Sequence, residues 1–191
     1  MIAIHRYAGP LLAAGLFAAT GAYAAEVAGV KLDDSLRVGS GELVLNGAGL
    51  RSKLFIKLYV AALYVPQKAT GAAAVLDAPG PRRMQLRLLR EIGADTLHGA
   101  LEEGLANNNT ALELEAIKAQ SEQFGSLMKS LGKVREGDSV TLDFTADGVA
   151  VSLNGEVRGK VASAAFGKAL LKVWLGEKPA DAALKKALLG N

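Results

Sequence analysis

The sequence predicts an α+β domain: a large antiparallel sheet with helices layered on one face. Three observations carry that expectation. Apolar and polar residues alternate with period two in stretches such as Lys53–Val60 and Arg83–Arg90, and a helical period takes over between Asp95 and Leu131. Beyond it, Asp147-Gly148 and Asn154-Gly155 join three more short strands by tight turns, and a second helical stretch closes the chain. Strands, two helices, a hairpin meander and two further helices pack most simply as one sheet under one helical layer.

Taken in order, residues 26–38 read as an opening strand or hairpin arm with Asp33-Asp34-Ser35 as its turn. Glu42 to Val65 reads as one or two long strands, interrupted around Gly47–Ser52 by a glycine turn that delivers Arg51. After the turn, Leu54, Ile56, Leu58 and Val60 alternate onto a packing face. Lys53, Phe55, Lys57 and Tyr59 fall on the other, an amphipathic surface suited to lining a cleft beside Arg51. Pro66 to Pro81 reads as irregular, and Arg83 to Arg90 as a strand with Met84, Leu86 and Leu88 pointing one way.

Asp95 is the expected N-cap of a helix reaching Ala106, with Leu97, Leu101 and Leu105 four residues apart. Thr110-Ala111-Leu112-Glu113 has the form of a capping box and opens a second helix to Leu131, ended by Gly132. Ser139–Thr145, Val149–Leu153 and Glu156–Ala162 are the meander strands. A third helix over Ser163–Leu175 is apolar on nearly every side and makes Trp174 a core anchor; Pro179 fits the first turn of a fourth, ended by Gly190.

Residues 1–24 read as a secretory signal. Arg6 supplies the basic start, Leu11–Thr20 an apolar run too short to span a bilayer, and Ala22-Tyr23-Ala24 a cleavage site after Ala24. The mature chain, 25–191, is then one domain, periplasmic or secreted, with no later stretch fit for a stable membrane span. Without Arg6 the formal charge of +3 falls to +2, and no aromatic-interleaved basic stripe appears, so a nucleic-acid partner is not expected. The absence of cysteine removes thiolate chemistry. A single histidine after the leader, His98, rules out a multi-histidine metal site and reads as a surface or capping residue. No cofactor is implied.

Two motifs carry a family resemblance. Gly47-Ala48-Gly49-Leu50-Arg51 precedes Phe55-x-Lys57-x-Tyr59 and Leu63-Tyr64, and near the end stand Val173-Trp174-Leu175-Gly176-Glu177-Lys178-Pro179, Leu184 and Leu188-Leu189-Gly190. In this order they resemble the chalcone isomerase family, and more closely its bacterial, exported chalcone isomerase-like branch. The resemblance implies a large sheet with a helical layer and a ligand cleft between them, and its catalytic arginine falls on Arg51. The rest of the catalytic set has no counterpart. Tyr59 stands where the family's strand carries a threonine, the family's tyrosine and asparagine find no match with flanking support at Asn107–Asn109, and the C-terminal hydroxyl is replaced by Ala164-Ala165-Phe166 and Ala169-Leu170-Leu171.

Ring closure is therefore not the favoured activity, and the resemblance implies instead a fatty-acid-binding branch without catalysis. An arginine fork and a phenol hydroxyl beside an apolar space suit the head of a small apolar carboxylate, with Arg51, Tyr59 and Tyr64 as its contacts. The alternative is a cofactor-independent isomerase or lyase acting on a planar phenolic substrate. On one straight strand Arg51 and Tyr59 would lie roughly 26 Å apart, so a shared site requires a chain reversal around Arg51–Lys53. Arg51 is expected partly buried at a cleft and not locked by a bidentate carboxylate.

Overall fold

The computed structural model describes residues 23–191; the expected signal segment lies outside them, save for the backbone of Tyr23 and Ala24. Strands β1 (Tyr23–Val27) and β2 (Val30–Asp33) form a small hairpin arm, and Asp34 separates it from β3 (Ser35–Val38). Then follow β4 (Gly41–Lys53), β5 (Ile56–Val65), the short helix α1 (Ala72–Asp77), β6 (Arg82–Leu88) and β7 (Ile92–Gly93). Helices α2 (Ala94–Asn108), α3 (Ala111–Ala116) and α4 (Lys118–Ser130) lead through β8 (Lys133–Val134) to the meander β9 (Ser139–Thr145), β10 (Gly148–Leu153) and β11 (Glu156–Val161). Helices α5 (Ala164–Leu175) and α6 (Ala182–Leu188) close the chain.

Seven strands form one antiparallel sheet in the order β11-β10-β9-β6-β5-β4-β3. Alternation sorts its faces. On β5, Tyr59, Ala61, Leu63 and Val65 join the main core beneath α2, α4, α5 and α6, together with Met84, Leu86 and Leu88 of β6. Val60, Ala62 and Tyr64 point the opposite way, into a smaller cluster with Leu32, Val38, Leu43 and Leu45 under the β1–β2 arm. The helices thus lie on one face, as the residue pattern predicts.

Several local expectations are corrected. The glycines at 47 and 49 make no turn: β4 runs through them unbroken, and they admit α6. A Cβ on Gly47 would collide with the Ala187 carbonyl, and one on Gly49 would lie 2.7 Å from the Ala187 methyl. Asn46, the bulged residue of β4, fastens the same helix by donating to the Leu188 carbonyl at 2.7 Å. The alanine-rich patch after Gly71 forms α1, seated by buried Val75, where irregular chain was expected; alanine is the best helix former. The expected single helix over 110–131 breaks at Ile117 (φ −112°, ψ 9°). Nothing on α3 is buried, whereas Ile117, Phe124 and Met128 all enter the core, so the bend tips the chain inward where burial rewards it. Asp95 lies one residue inside α2, and α6 is capped by Asp181 rather than opened by Pro179.

The close approach of α6 to β4 makes a direct prediction. Gly47→Ala should cost about 1–3 kcal/mol, because the obstacle is backbone that cannot swing away. Gly99→Ala, inside α2 with open space around it, should instead stabilise by about 0.5–1 kcal/mol. Urea denaturation of the two variants reads both signs.

Candidate functional site

The site begins with a reversal of the chain. Lys53 and Ile56 pair across a two-residue turn, Leu54-Phe55, whose φ values are +49° and +66°. The reversal therefore lies immediately beyond the expected stretch, and the alternation read through it was a hairpin: Leu54 is 82% and Phe55 103% exposed, outside any core or cleft. Folding back sets Arg51 directly opposite Tyr59. Cross-strand partners stand about 5 Å apart at Cα, so the separation expected along a straight strand disappears. One further irregularity completes the wall. The register slips between Arg51 and Ser52, leaving Leu58 as an extra residue, so that Leu58 and Tyr59 both turn toward the helices.

Gly47, Gly49 and Arg51 occupy every second position of β4 and share its helical face. The glycines receive the body of α6, and Arg51 reaches its start. Arg51 Nη1 donates to Asp181 Oδ2 at 3.2 Å and to the Ser52 carbonyl at 2.9 Å. The other carboxylate oxygen of Asp181 accepts from the Ala183 and Leu184 amides and caps α6. The pair is end-on rather than bidentate, with the two side chains 21% and 20% exposed, so the arginine is braced without being used up.

Beside it, the Tyr59 hydroxyl accepts from Trp174 Nε1 at 3.3 Å. Burial pushes the Tyr59 phenol above its ordinary pKa. The Trp174 hydrogen bond and the Arg51 charge pull the other way, and Asp181 adds to the rise. The phenol consequently stays neutral at physiological pH and keeps its proton to donate. Trp174 itself is buried, the core anchor its helix predicts.

These groups border a cavity of about 610 Å³ between the sheet and the helical layer, a size ordinary for small-molecule sites. Leu58 and Tyr59 line its sheet side, Leu97, Ala100, Leu101 and Gly104 of α2 another wall, and Val173, Pro179 and Ala180 the corner between α5 and α6. Lys53, Arg90, Lys178, Glu91, Glu103, Thr96 and Asn107 add polar groups. Three cations thus accompany Arg51 against two acids, and Glu91 is paired with Lys133 at 3.1 Å.

Of the residues singled out in the sequence, Arg51 and Tyr59 meet at this cavity; Tyr64 does not. It is buried on the opposite face of the sheet, because five residues separate it from Tyr59 on an alternating strand. His98 is buried as well, on α2 against Gly125 of α4, where a surface position was expected. Asn107 lines the cavity, whereas Asn108 braces the α5–α6 corner through the Lys178 amide and carbonyl. Thr96 and Asp181 escaped the sequence reading, and Lys178 entered it only as part of the C-terminal motif, without a role at the site. An Asp one residue before a helical alanine pair is the N-cap signal that would have found Asp181. Among the described residues no group of three or more His, Asp or Glu side chains could hold a metal ion.

Tyr64 gives a test of its placement. Burial, followed by the charge of Asp33, pushes its phenol from 10.0 up to about 12, and its hydroxyl lies by the Asp33 main chain without a well-formed hydrogen bond. Below pH 10 the phenol is protonated in both folded and unfolded chains and confers no pH dependence. Between pH 10 and about 12 the unfolded chain ionises first, so stability falls as pH rises. Tyr64→Phe should flatten that alkaline loss while changing stability little at pH 7, as measured by urea midpoints across the range.

The comparisons with known proteins agree with this architecture. The solved structure of a fatty-acid-binding protein from Arabidopsis thaliana matches with a TM-score of 0.66 at 18% identity, over 84% of this chain and 92% of that one. Among curated proteins, none matches the sequence. The family profile described as chalcone isomerase-like matches residues 24–190, taking in the Gly-x-Gly-x-Arg strand, both walls of the cavity and α6. This chain belongs to the chalcone isomerase-like family.

Proposed function

We propose that this chain is an exported, non-catalytic binding protein for a fatty acid or similar apolar carboxylate. One observation carries the reading: a mostly buried arginine stands at the wall of a cavity with apolar sides, engaged end-on by its neighbours. A guanidinium has five N–H donors, and the bonds to Asp181 and Ser52 all pass through Nη1. The remaining donors, with the Tyr59 hydroxyl, suit a carboxylate head, while Leu58, Leu97, Leu101 and Val173 suit its tail. Lys53, Arg90 and Lys178 favour an anion over the nearby acids. The resemblance in fold to a plant fatty-acid-binding protein supports the same class of ligand.

Export rests on Arg6, the apolar run Leu11–Thr20 and Ala22-Tyr23-Ala24. Among the described residues no helix is long and apolar enough to cross a membrane.

The test uses Trp174, the chain's one tryptophan, as a reporter beside the site. Oleate should perturb its fluorescence saturably and raise the melting temperature. Arg51→Gln should weaken binding about tenfold to a hundredfold through loss of a charge-assisted contact. Melting of that variant separates lost binding from a loosened α6. Native mass spectrometry of protein expressed with its leader should show a chain starting at Ala25 and carrying lipid. A flat fluorescence titration together with an unmoved melting temperature would exclude the reading.

A second reading, a cofactor-independent isomerase or lyase for a planar phenolic substrate, is favoured by the meeting of Arg51 and the Tyr59 hydroxyl in one cavity. Those two donors could steady a developing oxyanion. Turnover of a hydroxychalcone that disappears in Arg51→Gln would establish it in place of the first; we expect no turnover.

A further inference from the structure

The β4–β5 turn is built against the ordinary chemistry of its geometry. Three two-residue hairpins in the described chain place positive φ at both central residues: Ala28-Gly29 (+49°, +82°), Asn154-Gly155 (+53°, +83°) and Leu54-Phe55 (+49°, +66°). Such turns select Asn-Gly and Asp-Gly because bulky side chains are strained there. The first two put glycine at the second position. The third carries two large apolar residues, and Ile56 follows at 47% exposed, making a contiguous apolar tip in solvent.

Neither turn geometry nor packing calls for those residues, since neither side chain contributes to a core. Their surroundings say what they suit. Lys53 and Lys57 flank the tip and are exposed, and Lys53 together with exposed Arg90 belongs to the cavity's border. An apolar point collared by cations, one of which also lines the cavity, matches a bilayer interface that carries anionic headgroups. We propose that the tip Lys53–Lys57 is a membrane-docking element: Leu54 and Phe55 enter the interfacial region of an anionic bilayer, the lysines meet its headgroups, and the cavity mouth is brought to the lipid surface. The interaction stands apart from the ligand reading, because vesicle binding can be measured whether or not oleate enters the cavity.

Flotation of the full mature chain with vesicles tests it. Binding is expected to vesicles of phosphatidylcholine mixed with phosphatidylglycerol, to weaken with salt, and to be slight on phosphatidylcholine alone. Replacing Leu54 by Asn together with Phe55 by Gly should lower the partition about tenfold or more, since two apolar side chains no longer enter the interface. The same change should leave the melting temperature level or raised, because it relieves the turn, and should leave oleate binding in solution intact. Lys57→Ser should weaken vesicle binding about fivefold. Three results would overturn the proposal: no flotation with anionic vesicles, flotation unaltered by the Leu54/Phe55 change, or a wild-type dimer that this change dissociates, which would make the tip a self-association surface.

Discussion

Helix α6 rests on the bare backbone of β4, and the site depends on that close approach. Two glycines on one face of the strand let the helix settle where any Cβ would strike it. The third residue of the same face is Arg51, which meets the helix at its N-cap. Asn46 holds the other end, donating to Leu188 and to Ala69 while accepting from the Ala69 amide. A Gly-x-Gly-x-Arg sequence is thus a single physical device: a docking groove for a helix, followed by a cation that fixes where the helix begins. With α6 placed, the corner at Pro179 and Ala180 is placed too, and with it one wall of the cavity.

The balance of charges explains how Arg51 can be both brace and binding group. Withdrawing a guanidinium from water is expensive, and a lone carboxylate in end-on contact compensates only part of it. Both partners here keep about a fifth of their surface, so solvent screens the pair and its net contribution to stability is small. Asp181 divides its oxygens between the arginine and two amides at the head of α6, so its charge is shared with the helix. The cation is held in place more firmly than it is neutralised. The Tyr59–Trp174 contact does for the phenol what Asp181 does for the guanidinium, fixing its direction while leaving its proton. Preorganised donors of this kind bind an anion without first having to be ordered.

The parts of this arrangement legible in sequence are those governed by local chemistry. The capping box at Thr110 and Glu113 is present, the meander strands begin and end within a residue of expectation, and the buried stripe of α5 follows its apolar sequence. The α+β class, with helices gathered on one face of the sheet, follows from the same patterns, whereas the packing face read through Leu54, Ile56 and Val60 is not the face the helices cover. Some of what escaped was local, such as the Asp181 cap and the alanine helix α1, and the rest depended on contacts distant in sequence or on breaks in the strand pattern. Gly47 and Gly49 look like a turn until a helix more than 130 residues away fills the space above them. Leu54-Phe55 looks like strand, because bulky apolar residues give no composition signal for positive φ. The Leu58 bulge cannot be seen in period two at all, since it is a failure of that period. Tyr64 was grouped with Arg51 by nearness in a motif, although the strand's alternation sends it to the other core.

A crystal structure of the mature chain grown with oleate bears most directly on the central claim, that one hairpin and one capped helix together present Arg51 to a cavity with apolar walls. The account predicts the oleate carboxylate at about 2.7–2.9 Å from a nitrogen of Arg51, with the Tyr59 hydroxyl in reach. The hydrocarbon chain should run between Leu58, Leu97, Leu101 and Val173, and Asp181 should still cap α6. An empty cavity at saturating oleate, or a carboxylate seated away from Arg51 with the tail beside it, would contradict the account.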